Sequence, residues 1–361
     1  MDDLRAQSGM SDPSPGAEEQ DEEEHDEREL LAHAAEAGIH RLTIPTPFQV
    51  GRVNAYLIED SPLTLIDSGP NSERSLQELE LGLAARGHKV EEIELLIVTH
   101  QHVDHFGLAA TLAERSGAEV AALAGLAPYL REFETATERD DRFAQSVMTR
   151  HGIPAEVIAT LRTVSASFRA WGAAVEVTRP LEDGAELRLR DRTLRVLHRP
   201  GHSPSDTVFL DESTASMFVA DHLLANISSN PLLARPLDAG PGFTGPRPRA
   251  LIDYIASLKR TRAMDLSLAL PGHGPPIVDH RALIDSRLFM HRRRAERVHR
   301  LICERALTAH EIAGELWGNV AVTQAYLTLS EVLGHVDLLL EEGRAVERED
   351  AAEGVVRFAA S

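Results

Sequence analysis

The run Thr99-His100-Gln101-His102-Val103-Asp104-His105 sets three imidazoles and a carboxylate within six residues. An apolar run, Ile93 to Val98, leads into it, and a helix-like segment from Phe106 to Arg115 follows. The order therefore reads strand, ligand-dense turn, helix. Neutral imidazole and carboxylate suit zinc and other borderline divalent ions. A hydrophilic loop that merely contains histidine accounts for one such residue. It accounts poorly for His-x-His-x-Asp-His at the end of a buried-type strand.

Three further strand-like runs end on residues of the same chemistry. Leu194 to Leu197 precedes Pro200-Gly201-His202-Ser203. Ser216 to Val219 precedes Ala220-Asp221-His222. Leu266 to Leu270 precedes Pro271-Gly272-His273-Gly274-Pro275. Ligands at the ends of successive strands would converge on one sheet edge.

Together these residues resemble the metallo-beta-lactamase superfamily, and within it the dinuclear hydrolases with a glyoxalase II-like site. The resemblance spans roughly residues 40 to 280. It implies an α/β fold, an αββα sandwich, and two divalent ions, zinc first and iron or manganese otherwise. Carried over residue by residue, it implies that His100, His102 and His202 hold one metal and that Asp104, His105 and His273 hold the other. Asp221 would bridge the two. Ala220 departs from the pattern, since the family usually has glycine before this aspartate. His222 is left as an orienting or structural residue, because the ligand set is complete without it.

At 361 residues the chain is long enough for a large core and an accessory unit. Its single cysteine, Cys303, rules out an internal disulfide and fits a reducing compartment. Cys303 is expected to be a buried helical thiol. The first thirty residues are polar, with no apolar segment of a signal peptide, and no stretch reads as a membrane span. A cytoplasmic protein is the expectation. The net charge is -20, and a nucleic-acid binder would carry a basic footprint instead. A small-molecule substrate is expected, with nucleic acid disfavoured, no membrane partner and oligomerisation open.

Residues 1 to 28 are rich in Asp, Glu, Ser and Pro and are expected to be a disordered acidic tail. Residues 29 to 280 would form the metallo-beta-lactamase domain. Within it, strands are expected at 40–46, 52–59 and 63–67, and a helix at 72–87. Asp67 reads either as a carboxylate that orients a ligand or as a plain turn. Residues 118–123 read as a strand, and 126–171 as a helical insert, either a lid over the site or a decoration. Short strands fill 175–219. In the loop 226–248, Ser228, Ser229 and Asn230 read as oxyanion donors or as turn residues.

A linking helix, 281–306, carries Arg292, Arg293, Arg294, Arg297 and Arg300 beside His291. This face reads as solvated or as anion-binding. Residues 307–361 read as helix, helix and hairpin, a layout that looks like a winged helix. That layout is similar to a superfamily subgroup containing beta-lactamase-like endoribonucleases and polyketide-releasing thioesterases. Residues 281–361 hold eleven basic and thirteen acidic residues, so DNA reading is not expected there.

The chemistry implied is hydrolysis by a hydroxide held between two metals, with Asp104 and Asp221 as the catalytic carboxylates. A thioester or ester is the expected substrate. A phosphodiesterase or endoribonuclease activity is the alternative. A low-turnover metal-containing binding or regulatory protein is the alternative of another class.

Overall fold

The computed structural model describes residues 17–361 apart from Pro241, Ala351 and Glu353, with side chains from Glu27 onward. Helix α1 (Ala17–Glu36) leads into an antiparallel pair, β1 (Ile39–Ile44) and β2 (Val53–Ile58). β3 (Thr64–Ile66) pairs antiparallel with β2. Helix α2 (Glu73–Ala84) crosses over to β4 (Leu95–Val98), which lies parallel to β3. Two short helices, α3 (Val103–Phe106) and α4 (Ala109–Ser116), lead to β5 (Glu119–Leu123), parallel to β4. Three inserted helices follow, α5 (Ala127–Arg131), α6 (Phe133–Arg150) and α7 (Ala155–Phe168). β6 (Arg179–Leu181) then completes a six-stranded sheet.

The second sheet begins as an antiparallel meander. Its strands are β7 (Glu186–Arg188), β8 (Thr193–His198), β9 (Thr207–Asp211) and β10 (Ser216–Ala220). After helix α8 (Ala250–Arg262), β11 (Leu268–Pro271) adds parallel to β10, giving five strands. Helices α9 (His280–Glu304), α10 (Ala309–Trp317), α11 (Val320–Thr323) and α12 (Ala325–Glu341) come next. A hairpin, β12 (Ala345–Asp350) and β13 (Val355–Ala360), ends the chain.

The period of two in each strand decides the layering. On β4, Leu95 and Ile97 pack between the sheets with Phe209, Phe218 and Leu270. Leu96 and Val98 point the other way, onto Leu79, Leu83 and Leu112 of α2 and α4. On β10, Phe218 faces between the sheets, while Met217 and Val219 meet Leu251, Tyr254 and Leu258 of α8 and Ile284 of α9. Each central strand is buried on both faces, which is why it reads as an unbroken apolar run. The result is an αββα sandwich with a further unit at the C-terminal end.

Two expectations are corrected. The acidic tail was expected to be disordered through residue 28, yet residues 17–28 belong to α1. Glutamate and alanine are good helix formers, and the helix is tied down at its far end. There Leu30 and Ala34 pack on the inter-sheet core, and Arg41 pairs with Glu27 at 2.5 Å. Residues 1–16 lie outside the described residues. Cys303 is exposed, not buried. The buried stripe of α9 runs through Ile284, His291, Ala295, Val298 and Ile302. One residue further on, about 100° around the helix, faces away from that stripe.

The insert packs against the C-terminal helices and hairpin. Val147, Met148, Ile153 and Ile158 share one apolar cluster with Val298 and Ile302 of α9, with Leu329, Val332, Leu333 and Val336 of α12, and with Phe358 of β13. The C-terminal unit therefore packs on the inserted helices of the sandwich. Among the described residues no helix is long and apolar enough to cross a membrane.

Candidate metal centre

The loop after β4 delivers His100 and His102, and α3 delivers Asp104 and His105, to one edge of the sandwich. The loops after β8, β10 and β11 deliver His202, Asp221 and His273 to the same place. All seven predicted residues come together. Their ligand atoms form three overlapping groups, each within 4.8 Å: His100, His102 and His202; His100, His105 and Asp221; Asp104, His105 and His273. Asp221 spans the cluster. Its Oδ1 lies 3.4 Å from His105 Nε2, and its Oδ2 lies 3.5 Å from His202 Nε2 and 3.7 Å from His273 Nε2.

Hydrogen bonds behind the rings fix which nitrogen faces inward. His202 Nδ1 donates to the Asn230 carbonyl at 3.1 Å, and His273 Nδ1 donates to the Arg52 carbonyl at 2.8 Å. His105 Nδ1 donates to Asp67 Oδ2 at 2.7 Å. The Thr99 hydroxyl gives its proton to Asp67 at 2.8 Å, so its oxygen accepts from His100 Nδ1 at 3.0 Å. Four rings thus turn Nε2 toward the cluster. His102 differs and turns Nδ1 inward, 3.1 Å from His100 Nε2 and 2.9 Å from His202 Nε2.

This arrangement fits a cation. Two Nε2 lone pairs point at His102 Nδ1, which has at most one proton to give. His105 Nε2, Asp221 Oδ1 and His273 Nε2 are buried with no hydrogen-bond partner among the described residues. Buried polar atoms are rarely left so without an ion or water to meet them. Burial, with His202 beside it, pushes His102 down to about 3, and burial also holds His100 well below its usual range. Both rings are neutral donors. Burial would raise Asp221, but His273, His105 and His202 hold it well below the ordinary carboxylate range. Burial would lower His105, but Asp221, Asp67 and Asp104 keep it well above. The buried carboxylates therefore call for positive charge, which a divalent ion supplies.

The backbone is shaped for this geometry. Ala220 has φ 43°, and the β10–β11 register shifts between Phe218 and Ala220. That bulge turns Asp221 into the cluster. A Cβ on Gly272 would stand 2.4 Å from Asp221 Oδ1 and 2.7 Å from His105 Cε1, so only glycine fits.

Asp67 is more than a turn residue, because it accepts from both Thr99 and His105. His222 faces away from the site. Its Nε2 lies 2.9 Å from Thr261 Oγ1, and its carbonyl accepts from the Tyr254 hydroxyl. Asn230 serves through its backbone oxygen, and its Nδ2 donates to Leu327 O at 3.3 Å. It is therefore not aimed at a reacting group, and Ser229 lies against Tyr254. Arg52 and Asn230 were missed as orienting residues, since a backbone carbonyl has no sequence signature.

A further set of ligand-type side chains, His291, Glu331 and His335, is buried between α9 and α12. His291 Nδ1 lies 3.2 Å from His335 Nε2, and Arg294 pairs with Glu331. With a guanidinium already on the carboxylate, this network reads as structural. Arg292, Arg293 and Arg300 of the same helix are exposed.

A sandwich of two sheets that gathers histidine and aspartate at one edge is a metallo-hydrolase architecture. The chain belongs to the metallo-beta-lactamase superfamily, whose profile matches residues 48–273. It is 34% identical over 301 residues to a Bacillus subtilis protein named "Probable metallo-hydrolase YqjP", covering 83% of this chain and 92% of that one. It is 28% identical over 120 residues to an atrochrysone carboxyl ACP thioesterase of Aspergillus fumigatus, covering 33% of this chain and 24% of that one. Among solved structures, the metallo-beta-lactamase family protein TTHA1429 of Thermus thermophilus superposes with a TM-score of 0.74 at 26% identity. That match covers 90% of this chain and 99% of the other.

Proposed function

We propose that the protein is a two-metal hydrolase of thioesters or esters. The carrying observation is the convergence of seven ligand-type side chains into linked groups that Asp221 spans. The likeness to a thioesterase supports the substrate class. His100 and His202 through Nε2, with His102 through Nδ1, would hold one ion. Asp104, His105 and His273 would hold the other, and Asp221 would reach both. Two divalent ions, zinc in our reading, would supply an activated water and a Lewis acid for the scissile carbonyl. Asp104 and Asp221 orient the attacking water, and Asp104 takes its proton and returns it to the leaving thiolate or alkoxide. No serine or cysteine nucleophile is required. The C-terminal unit, which we read as winged-helix-like, braces this site through the Asn230–Leu327 contact.

Metal analysis and thiol release from acyl thioesters test the reading together. Two equivalents of metal and turnover are expected. Asp221→Asn should lose at least one equivalent and reduce kcat about a hundredfold or more. Full activity with full metal in that variant would sink the bridging role. Faster cleavage of single-stranded RNA than of any thioester would select the phosphodiester alternative.

A further inference from the structure

The insert, the loop after β10 and the C-terminal unit line a partly open cavity of about 670 Å³. Six arginines line it, Arg139, Arg142, Arg150, Arg235, Arg247 and Arg249, against two carboxylates, Asp337 and Glu347. Each of the six also has a carboxylate partner, Arg139 on Glu132 among them, so the cavity gathers paired guanidinium groups. Two of the arginines form a rigid floor. Arg247 holds Asp337 with two bonds of 2.5 and 2.6 Å, and Arg235 donates to Asp140 at 3.1 Å and to Ala239 O at 2.6 Å.

Arg142, Arg150 and Arg249 are more mobile in charge. Their side chains are 65%, 53% and 51% exposed, and their ion pairs to Glu138, Glu347 and Glu341 span 3.2 to 4.0 Å. Exposed pairs of this kind contribute little, so the guanidinium groups can turn to a better anion. His151, only 2% exposed, also lines the cavity, and its Nδ1 has no hydrogen-bond partner among the described residues. Burial, then Arg247 and Arg150, push its pKa to about 3, as a positive surrounding would.

Two other features narrow the ligand. Phe143 and Phe243 both line the cavity, with ring centroids 6.3 Å apart, and offer flat faces to a base. A second cavity of about 330 Å³ shares Arg139 and Arg235 with the first. It passes Pro128, Tyr129 and Leu237 and reaches Gln101, which sits between His100 and His102. The arginines and aromatic faces of the first cavity thus adjoin a smaller cavity that ends at Gln101, in the loop that carries His100 and His102.

We propose that the arginine-lined cavity binds the nucleotide end of a coenzyme A-type thioester, its thiol arm running through the second cavity toward the metal site. This rests on the thioester reading above. The cavity is partly open, but its volume suits one small molecule, and the acidic exterior disfavours a polynucleotide strand, which needs a continuous basic groove.

The test is calorimetric titration of the metal-replete full chain with desulfo-coenzyme A, which has no thiol to bind metal. Adenosine 3′,5′-bisphosphate, inorganic phosphate and a single-stranded RNA oligonucleotide serve as competitors. Saturable binding is expected, with displacement by the bisphosphate. In Arg142→Gln/Arg150→Gln, whose sites are largely exposed, affinity should fall at least tenfold at an unchanged melting temperature. Absence of binding, equal affinity in the variant, phosphate competing as well as the bisphosphate, or RNA binding more tightly would each overturn the proposal. Binding without turnover of any thioester would keep the cavity assignment and remove the thioesterase reading. Turnover of thioesters with no desulfo-coenzyme A binding would do the reverse.

Discussion

Four of the five histidines at this centre have a group behind them that holds a proton on the far nitrogen. Asp67 does this for His105 directly and for His100 through Thr99. It sits at φ 58°, a conformation that asparagine tolerates as well as aspartate. Asp67→Asn should therefore keep the fold while weakening the charge-assisted bond to His105. Metal affinity should fall about tenfold, at the lower end for such outer partners. Competition with a chromophoric chelator measures it, and an unchanged affinity would show that His105 needs no such support.

The ends of β10 and β11 convert a strand ladder into a ligand-bearing edge. β10 achieves it with a register shift and a left-handed Ala220, and β11 with a glycine that leaves room for Asp221. A non-glycine residue in that region costs about 1–2 kcal/mol, against about 0.4–1 kcal/mol that glycine costs through the unfolded chain. Ala220→Gly should thus be neutral or stabilising by up to about 1 kcal/mol. Gly272→Ala should instead lose metal, because the new methyl falls on Asp221 and His105. Thermal melts and metal content of the two variants check the contrast. Strong destabilisation by Ala220→Gly would mean that the alanine side chain contributes packing that its strain conceals.

The catalytic half and the C-terminal unit meet through one apolar cluster and a set of polar ties. Leu233 N donates to Ser330 Oγ at 3.2 Å, the Tyr326 hydroxyl donates to Leu233 O, and Asn230 Nδ2 donates to Leu327 O. The loop that orients His202 is thus held by α12. Unfolding should be one cooperative transition. A chain ending at Glu304 should bind a hydrophobic dye and aggregate, since it uncovers Val147, Met148, Ile158 and Val298. Two separated transitions in the whole chain would show that the C-terminal unit folds alone.

The sequence pattern by itself determined a mixed α/β class and the identity of the clustered residues, and the αββα sandwich was implied only by the family resemblance. Alternating or unbroken apolar runs carry the strands, and ligand chemistry at their ends is written locally, as in His100 to His105 and in Asp221. The tertiary structure decided what depends on groups far apart in the chain or on the backbone. It chose between turn and ligand support for Asp67. It brought the carbonyls of Arg52 and Asn230 behind His273 and His202, and turned Cys303 outward. It also drew arginines from 139 to 249 around one cavity, whereas the dense arginine run of α9 had suggested a different face. Side-chain chemistry is readable residue by residue. Which carbonyl or guanidinium meets it is set only when the sheets and helices pack.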